Sequence, residues 1–222
     1  MCIKNMLCKW IRSFSRRSRL KPEVDETLKQ YSIQNNKESI ENVVNSQKRI
    51  WVEIGFGSGE NMLYQALNES DLLFIGCEPY LKGVSKLLSN IEKHNIKNIL
   101  IWTEDARELI ENFPDNSVER FFILFPDPWP KRSHNKRRLI NTEFLNLLAK
   151  KMLMTGEILI ATDHPDYAEW IALHIKQCNF LSYRETDFSN CPFTKYHKKA
   201  LKYQRKVRFF KISISLKQST VT

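Results

Sequence analysis

The stretch IWVEIGFGSG, residues 50–59, decides the fold of this chain because it joins a short apolar run to three glycines at alternate positions. The run 50–54 is predicted to be a buried strand, and a helical pattern follows from about residue 60 to residue 67. Glycine lets the backbone turn tightly and approach a ligand closely at the N-terminus of a helix. A strand, a glycine turn and a helix in this order indicate a binding site for a nucleotide-like ligand.

The pattern beyond residue 59 alternates between apolar runs and helical stretches. Further strands are predicted at 72–77, 98–102, 118–125 and 156–161, and further helices at 82–94, 141–152 (with Thr142 as a possible N-cap) and 165–178. Such an alternation predicts a parallel sheet covered on both faces. Residues 206–216 alternate and are rich in β-formers, which predicts an antiparallel strand added at the edge. The predicted fold class is therefore α/β: a doubly wound, mostly parallel sheet with an antiparallel C-terminal edge strand.

Length and composition favour a single domain. The chain has 222 residues, of which 42% are hydrophobic, and we predict one domain over 23–216 between a basic flexible segment, 1–22, and a flexible tail, 217–222. No run of 18 apolar residues occurs, so no membrane-spanning helix is expected. Five scattered cysteines without a CxxC motif argue against a disulfide framework or a metal site and favour a cytoplasmic location.

The positive charge is concentrated. Of the 35 Lys and Arg residues, 20 lie in three segments that contain no acid, 1–22, 131–138 and 195–211. The rest of the chain carries 15 basic and 25 acidic residues. An acidic body with three basic patches indicates a polyanionic partner, although each patch alone would also suit a solvated surface.

Acidic residues follow the next two predicted strands. Glu78 ends the run 72–77, where a carboxylate can accept hydrogen bonds from both hydroxyls of a ribose. Asp105 and Ala106 follow the third strand and would suit an adenine, although either acid could instead cap a helix. The GxGxG spacing differs from the GxGxxG of dinucleotide-binding folds, which weighs against an NAD-dependent enzyme.

The most specific stretch is FPDPWPKRSHNKRR, residues 125–138, at the end of the fourth predicted strand. Asp127 lies between two prolines, which restrict the backbone and aim the carboxylate. Trp129 offers a stacking face, and five cationic side chains follow within eight residues. A fixed acid beside a basic segment predicts chemistry on a bound nucleic acid.

These motifs together resemble a known family. The glycine turn, Glu78 and the Asp105-Ala106 pair resemble the cofactor half of class I S-adenosylmethionine-dependent methyltransferases, and PDPWPKRSHNKRR resembles the signature of bacterial tRNA (guanine-N7-)-methyltransferases. The resemblance runs from about residue 11 to about residue 211 and includes Arg12-Ser13-Phe14, Arg16-Arg17, Arg19-Leu20, Ala161-Thr162-Asp163 and Thr194-Lys195-Tyr196. It implies S-adenosyl-L-methionine as cofactor, tRNA as partner, and methyl transfer to N7 of a variable-loop guanine by a cytoplasmic monomer or homodimer.

The resemblance also implies roles for individual residues. Asp127 corresponds to a catalytic position that also contacts the cofactor. The other cofactor-binding positions correspond to Glu53, Gly55, Gly57, Gly59, Glu78, Asp105 and Ala106. Substrate-binding positions correspond to Lys131, Asp163, Thr194, Lys195, Tyr196 and His197, and an RNA-contacting stretch to Ser133, His134, Asn135, Lys136, Arg137 and Arg138.

His197 departs from the family pattern, which is Thr-x-x-Glu. A glutamate can accept from both N1–H and the amino group of guanine, whereas a neutral histidine offers a single acceptor nitrogen. Lys198 and Lys199 follow directly and are expected to disfavour the imidazolium form.

The chemistry implied by the resemblance makes limited demands on the protein. N7 of guanine has a lone pair and no proton, so transfer requires alignment and charge placement rather than a general base. Asp127 is expected to act electrostatically, with Trp129 or Phe56 stacking on the guanine. Two other hypotheses remain open: an NAD-dependent oxidoreductase with a basic surface, and a catalytically silent RNA-binding module with a vestigial cofactor pocket.

Overall fold

A computed structural model describes residues 22–34, 36–45, 49–186, 191–192 and 194–215. The strands in this part are β1 Arg49–Ile54, β2 Leu72–Cys77, β3 Ile99–Trp102, β4 Val118–Leu124, β5 Met152–Thr162, β6 Leu181–Glu185 and β7 Arg208–Ile214. The helices are α1 Pro22–Tyr31, α2 Lys37–Val44, α3 Glu60–Asn68, α4 Leu81–His94, α5 Ala106–Glu111, α6 Thr142–Lys151, α7 Pro165–Gln177 and α8 Lys195–Lys202. A 3-10 helix spans Arg132–Arg137.

The strands form one sheet in the order β3-β2-β1-β4-β5-β7-β6. Strands β1 to β5 run parallel, and β7 runs antiparallel to both β5 and β6. The chain moves outward from β1 to β3 and then crosses back to β4, so the order reverses beside β1. In open α/β sheets such a reversal leaves a crevice at the carboxyl ends of the strands, where ligands bind. The glycine turn after β1 lies at this crevice.

Helices cover both faces of the sheet, as the alternation of strands and helices predicts. Buried residues of α1, α3 and α4 pack with those on one face, among them Trp51, Phe74 and Phe122. Buried residues of α5, α6 and α7 pack on the other face. The doubly wound α/β prediction is therefore confirmed.

Three aromatic rings pack together on the face of the sheet that α1, α3 and α4 cover. Trp51, Phe74 and Phe122 come from β1, β2 and β4, and their ring centroids lie 5.7–6.1 Å apart. The guanidinium of Arg120 lies 4.3 Å from the Trp51 ring centroid. The rings pack the adjacent strands β2, β1 and β4 together on the face that α3 and α4 cover.

The structure corrects the position of the C-terminal strand. β7 is antiparallel, as predicted, but it lies one place inside the edge because β6 pairs with its outer side. Strand β6 was not predicted, because only Leu181 of its five residues is buried and no clear alternation results. Helices α1, α2, α5 and α8 were also missed; they are short, at six to ten residues.

The cap of α6 also differs from the prediction. The Asn141 side chain accepts a hydrogen bond from the Phe144 amide, so Asn141 and not Thr142 is the N-cap. The Thr142 hydroxyl instead donates to Gln177 on α7.

The termini predicted to be flexible lie outside the described residues, apart from Pro22, where α1 begins. The division into one domain and two flexible ends therefore stays a prediction. None of the helices within the described ranges is long and apolar enough to cross a membrane.

Replacing Phe122 with Ala should lower the free energy of unfolding by about 3–5 kcal/mol, because it opens a cavity between Trp51 and Phe74. Denaturant titration would measure the loss, with Leu173→Ala as the control because Leu173 is 53% exposed on α7. Equal effects of the two substitutions would contradict the central role of the aromatic cluster.

Candidate active site

The turn after β1 depends on glycine. Gly55, Gly57 and Gly59 have φ angles of +79°, +59° and +76°, which other L-residues rarely adopt. Gly83 on α4 packs against this turn, and a Cβ atom there would lie 2.0 Å from the Gly57 carbonyl oxygen. Two backbones thus meet where a side chain at Gly83 would separate them, and α4 fixes the shape of the turn.

The Glu78 carboxylate braces the turn from the end of β2. One of its oxygens accepts from the Gly57 amide at 2.7 Å, and the other accepts from the Tyr80 amide at 2.9 Å. Burial raises the pKa of Glu78, although these amides and the nearby Lys195 oppose the shift. One buried carboxylate therefore links the turn after β1 to the start of α4.

A cavity of about 440 Å³ opens at the carboxyl ends of β1 to β4. Its walls come from the residues that directly follow each of these strands and from the first turn of α8. They are Ile54, Gly55, Gly57, Cys77, Glu78, Pro79, Tyr80, Glu104, Asp105, Ala106, Phe125, Pro126, Asp127, Trp129, Leu139, Lys195 and Tyr196. The lining residues that were not predicted as site residues are Ile54, Cys77, Pro79, Tyr80, Glu104, Phe125, Pro126 and Leu139. All but Leu139 lie at the end of a strand or within a few residues after it, which is the signal that could have found them.

Asp105 combines the two roles that the sequence left open. It is the N-cap of α5, accepting from the Arg107 amide at 3.0 Å, and it also lines the cavity. The buried Arg107 guanidinium donates to the same carboxylate at 2.8 Å. The carboxylate is therefore held rigidly at the cavity wall.

The loop after β4 has a strained backbone. Phe125 and Trp129 have φ angles of +56° and +44°, which are genuine outliers for bulky residues. The Phe125 amide donates to the Ala161 carbonyl at 2.8 Å, which fixes the start of the loop to β5. Strain of this kind persists only where the surroundings hold it, and it is common at functional sites.

This loop carries Asp127 and Trp129 into the cavity wall. More than a third of Asp127 is accessible, yet the surrounding protein is dense enough to raise the pKa of its carboxyl by desolvation. The Trp129 ring contacts the His134 ring edge-on, and the Arg137 guanidinium lies 4.9 Å from its centroid. The indole thus joins the cavity to the basic 3-10 helix.

Helix α8 closes the other side of the cavity. Thr194 is its buried N-cap and accepts from the His197 amide at 3.3 Å. The Lys195 ammonium donates to the Ser58 hydroxyl at 2.8 Å, and the Tyr196 ring stacks on Phe125. Lys195 and Tyr196 therefore lie directly over the glycine turn.

Some predicted site residues lie outside the cavity lining. Glu53 is buried under the turn, where it accepts from the Asn61 side chain at 3.0 Å, and burial raises its pKa to about 8. Gly59 packs against Leu87. Two others form different contacts: Asp163 pairs with Arg205 at 2.9 Å, and His197 lies between the Phe125 and Phe209 rings.

Burial lowers the pKa of His197, which favours the neutral ring that the sequence predicts. The cause differs from the expectation, since desolvation replaces the effect of the neighbouring lysines. Phe56 is 4% exposed and cannot stack on a substrate base, so of the two proposed stacking residues only Trp129 is accessible.

The basic stretch 131–138 divides into an outer and an inner part. Lys131, Arg132, Ser133, Lys136 and Arg137 are exposed, and His134 and Asn135 are partly buried. Arg138 is 2% exposed, donates to the Pro128 carbonyl at 2.9 Å and pairs with Asp166. The assignment of Arg138 to RNA contact is therefore corrected: its guanidinium holds the strained loop from inside.

Within the described ranges, no group of three or more His, Cys, Asp or Glu side chains is placed to hold a metal ion. The groups at this site that can hold a ligand are carboxylates, backbone amides, aromatic rings and one ammonium.

Known proteins are similar to this chain in sequence and in fold. Residues 47–210 match a family described as "Putative methyltransferase". Among solved structures, the aminoglycoside resistance methyltransferase NpmB1 aligns with a TM-score of 0.59 and 17% identity over 82% of this chain and 95% of its own. A 30S ribosomal A1408 methyltransferase from an uncultured bacterium aligns with a TM-score of 0.55 and 20% identity over 81% and 94%. At these identities the likeness shows the fold alone.

Two sequence relatives are much more similar. The tRNA (guanine-N(7)-)-methyltransferase of Wolbachia pipientis wMel is 81% identical over 214 residues, which cover 96% of each chain. That of Zymomonas mobilis is 41% identical over 166 residues, or 72% of each chain. Since an 81% match extends over nearly the whole length, including the strained loop, its basic segment and the cavity wall, this chain belongs to the tRNA (guanine-N(7)-)-methyltransferase family.

Proposed function

We propose that the protein transfers a methyl group from S-adenosyl-L-methionine to N7 of a guanine in tRNA, and that the target guanine lies in the variable loop. One arrangement supports this function best. Asp105, Glu78, the glycine turn and Asp127 follow the adjacent strands β3, β2, β1 and β4 in that order along one cavity, and an exposed basic helix adjoins the Asp127 end.

The cavity suits the cofactor in size and shape. Its volume of about 440 Å³ lies in the range of small-molecule sites. Nothing lies within 4 Å of the position where a Cβ of Gly55 would stand, so the turn leaves space for a ligand against its backbone. Asp105 would hold the adenine, Glu78 the ribose hydroxyls, and Asp127 would lie near the sulfonium.

The same site disfavours a dinucleotide. In dinucleotide-binding folds the pyrophosphate lies at the N-terminus of the helix that follows the glycine turn. Here Glu53 occupies that end of α3, because its carboxyl accepts hydrogen bonds from Asn61 and from the Met62 amide. A pyrophosphate would have to displace a buried carboxyl group, which argues against the NAD-dependent hypothesis. The intact row of acids argues against a vestigial pocket.

When bound, S-adenosylmethionine supplies a methyl group on a cationic sulfonium. N7 of guanine carries no proton to remove, so Asp127 need not act as a base. Its carboxylate stabilises the positive charge that passes to the guanine, and the two flanking prolines and the fixed Phe125 hold it in place. Preorganisation of this kind avoids the cost of reorienting groups during transfer.

The outer part of the basic stretch would hold the RNA. Arg132, Lys136 and Arg137 are exposed on the 3-10 helix, whose neighbour Trp129 lines the cavity. Phosphates docked on these cations would bring a nucleotide to the cavity mouth, where the indole ring can stack on an extruded base.

The function is tested with an unmodified tRNA transcript and S-adenosylmethionine. We expect one N7-methylguanine in the variable loop, located by reduction and aniline cleavage. A transcript with 7-deazaguanosine at that position is the matched control, because it lacks the N7 acceptor. Methylation of the control, or of another guanine, would contradict the proposed target, and no transfer at all would contradict the activity.

Asp127→Asn should lower the single-turnover rate by about 10²–10³-fold while cofactor affinity changes little, because shape is kept and charge is lost. The raised pKa of Asp127 means that its carboxylate is protonated at a higher pH than an ordinary aspartate. Turnover of the unaltered protein should therefore fall on acidification, starting above the usual aspartate range, whereas the Asn variant should lack this step. An unchanged acid limb in the variant would assign the titration to another group.

Replacing Arg132, Lys136 and Arg137 together with Ala should weaken tRNA binding and make the plot of log affinity against log salt less steep. The slope should fall by somewhat less than one unit for each phosphate that the variant no longer neutralises. The control replaces the exposed Lys86, Lys93 and Lys97, which removes equal charge from α4 and the residues that follow it. If both triple variants change the slope equally, the 3-10 helix contributes only to net charge.

A further inference from the structure

The charges around the cavity are unequal. Its described lining contains four carboxyl side chains, those of Glu78, Glu104, Asp105 and Asp127, and a single cationic side chain, that of Lys195. Carboxylates suit the adenine, ribose and sulfonium parts of S-adenosylmethionine, which present donors or positive charge. The remaining part is an amino acid, whose α-carboxylate is an anion and would be repelled by every charged group of this wall except one.

Lys195 is placed where that anion must lie. Its Nζ atom is 3.7 Å from the point where a Cβ of Gly57 would stand, directly over the glycine turn at the end of β1. In the order of strands the turn lies between Glu78 at β2 and Asp127 at β4, so it faces the portion of the cofactor beyond the ribose.

Several other donors near the turn are already engaged. The Gly57 amide donates to Glu78, and the Met62 amide and the Asn61 side chain, at the start of α3, donate to Glu53. Arg107 is buried and paired with Asp105 at the adenine end. Lys195 acts on the nearby Glu78 electrostatically but forms no close ion pair with it. A carboxylate at the turn therefore finds in Lys195 a charged partner.

The contacts of the Lys195 side chain fix its orientation but use only some of the N–H groups of its ammonium. Its ammonium carries three N–H groups, of which one donates to the Ser58 hydroxyl at 2.8 Å. The Tyr196 ring centroid lies 5.0 Å from the ammonium, and the Thr194 cap fixes the first turn of α8. Two N–H groups remain to bind a carboxylate.

We propose that Lys195 binds the α-carboxylate of S-adenosylmethionine, with Ser58 as the residue that positions its ammonium. This inference rests on the proposed function and moves Lys195 from the substrate-binding to the cofactor-binding residues. Lys195 is exposed, as are Lys198, Lys199 and Lys202, but its ammonium is held over the turn by the hydrogen bond to Ser58. Helix α8 can then contribute to both ligands.

The test is calorimetric titration of the full chain and of Lys195→Met with two probes, S-adenosylhomocysteine and its decarboxylated analogue, which keeps the amine. The substitution should weaken S-adenosylhomocysteine about 10- to 100-fold, as expected for a charge-assisted hydrogen bond. It should leave the decarboxylated analogue unchanged or slightly tighter, since the lysine would repel the remaining amine. Lys195→Arg should restore much of the lost affinity.

Lys198→Met is the matched control, because Lys198 is exposed on the same helix, and it should change neither affinity. Equal weakening of both probes by Lys195→Met would overturn the proposal, because the lysine would then act without reference to the carboxylate. No weakening of either probe would overturn it as well. If the unaltered protein fails to bind S-adenosylhomocysteine, the proposed function itself fails, and this inference with it.

Discussion

The site depends on one buried carboxylate. The Glu78 carboxylate accepts hydrogen bonds from the amides of Gly57 and Tyr80. These two bonds hold the turn after β1 against the start of α4. The close approach of Gly83 to Gly57 is possible only while that turn keeps its shape. A carboxylate retains further acceptor capacity after two hydrogen bonds, so the group that fixes the scaffold can also face the ligand. The same carboxylate therefore serves the scaffold and the binding site. Burial raises its pKa, and the two amides that donate to it oppose only part of that rise.

The loop after β4 shows how a strained element is kept in place. Phe125 and Trp129 adopt positive φ angles, and the cost of these conformations must be met by the surroundings. Arg138 supplies much of that support: its buried guanidinium donates to the Pro128 carbonyl, pairs with Asp166 and lies about 5 Å from the Tyr167 and Trp170 rings. A buried guanidinium is costly unless it is paired and hydrogen-bonded, so its placement also makes the loop conformation specific.

The charge distribution separates two tasks. Inside the cavity, acids outnumber cations, which suits a ligand with an adenosine and a sulfonium, and Lys195 is the cation that we propose for its single anion. Outside, the exposed cations of the 3-10 helix and of α8 form the surface that a polyanion would approach. Trp129 and Tyr196 lie between these regions, each in contact with a cation and with the cavity. The acidic lining of the cavity and the basic outer surface are thus formed by residues that lie close together in the chain.

The sequence by itself determined the doubly wound sheet, the glycine turn and the acids at the strand ends, because hydrophobic periodicity and glycine turns are local signals. The sequence also favours a neutral His197, but for a different reason from the desolvation that lowers the pKa of this ring in the structure. Only the tertiary structure decided that β6 lies outside β7, that Glu53 lies beneath the site, and that Arg138 points inward while Arg137 points outward. The physical reason is that burial, ion pairing and strand order depend on which residues distant in sequence come into contact. Within a run of basic residues, the sequence alone does not show which side chain will be buried and which exposed.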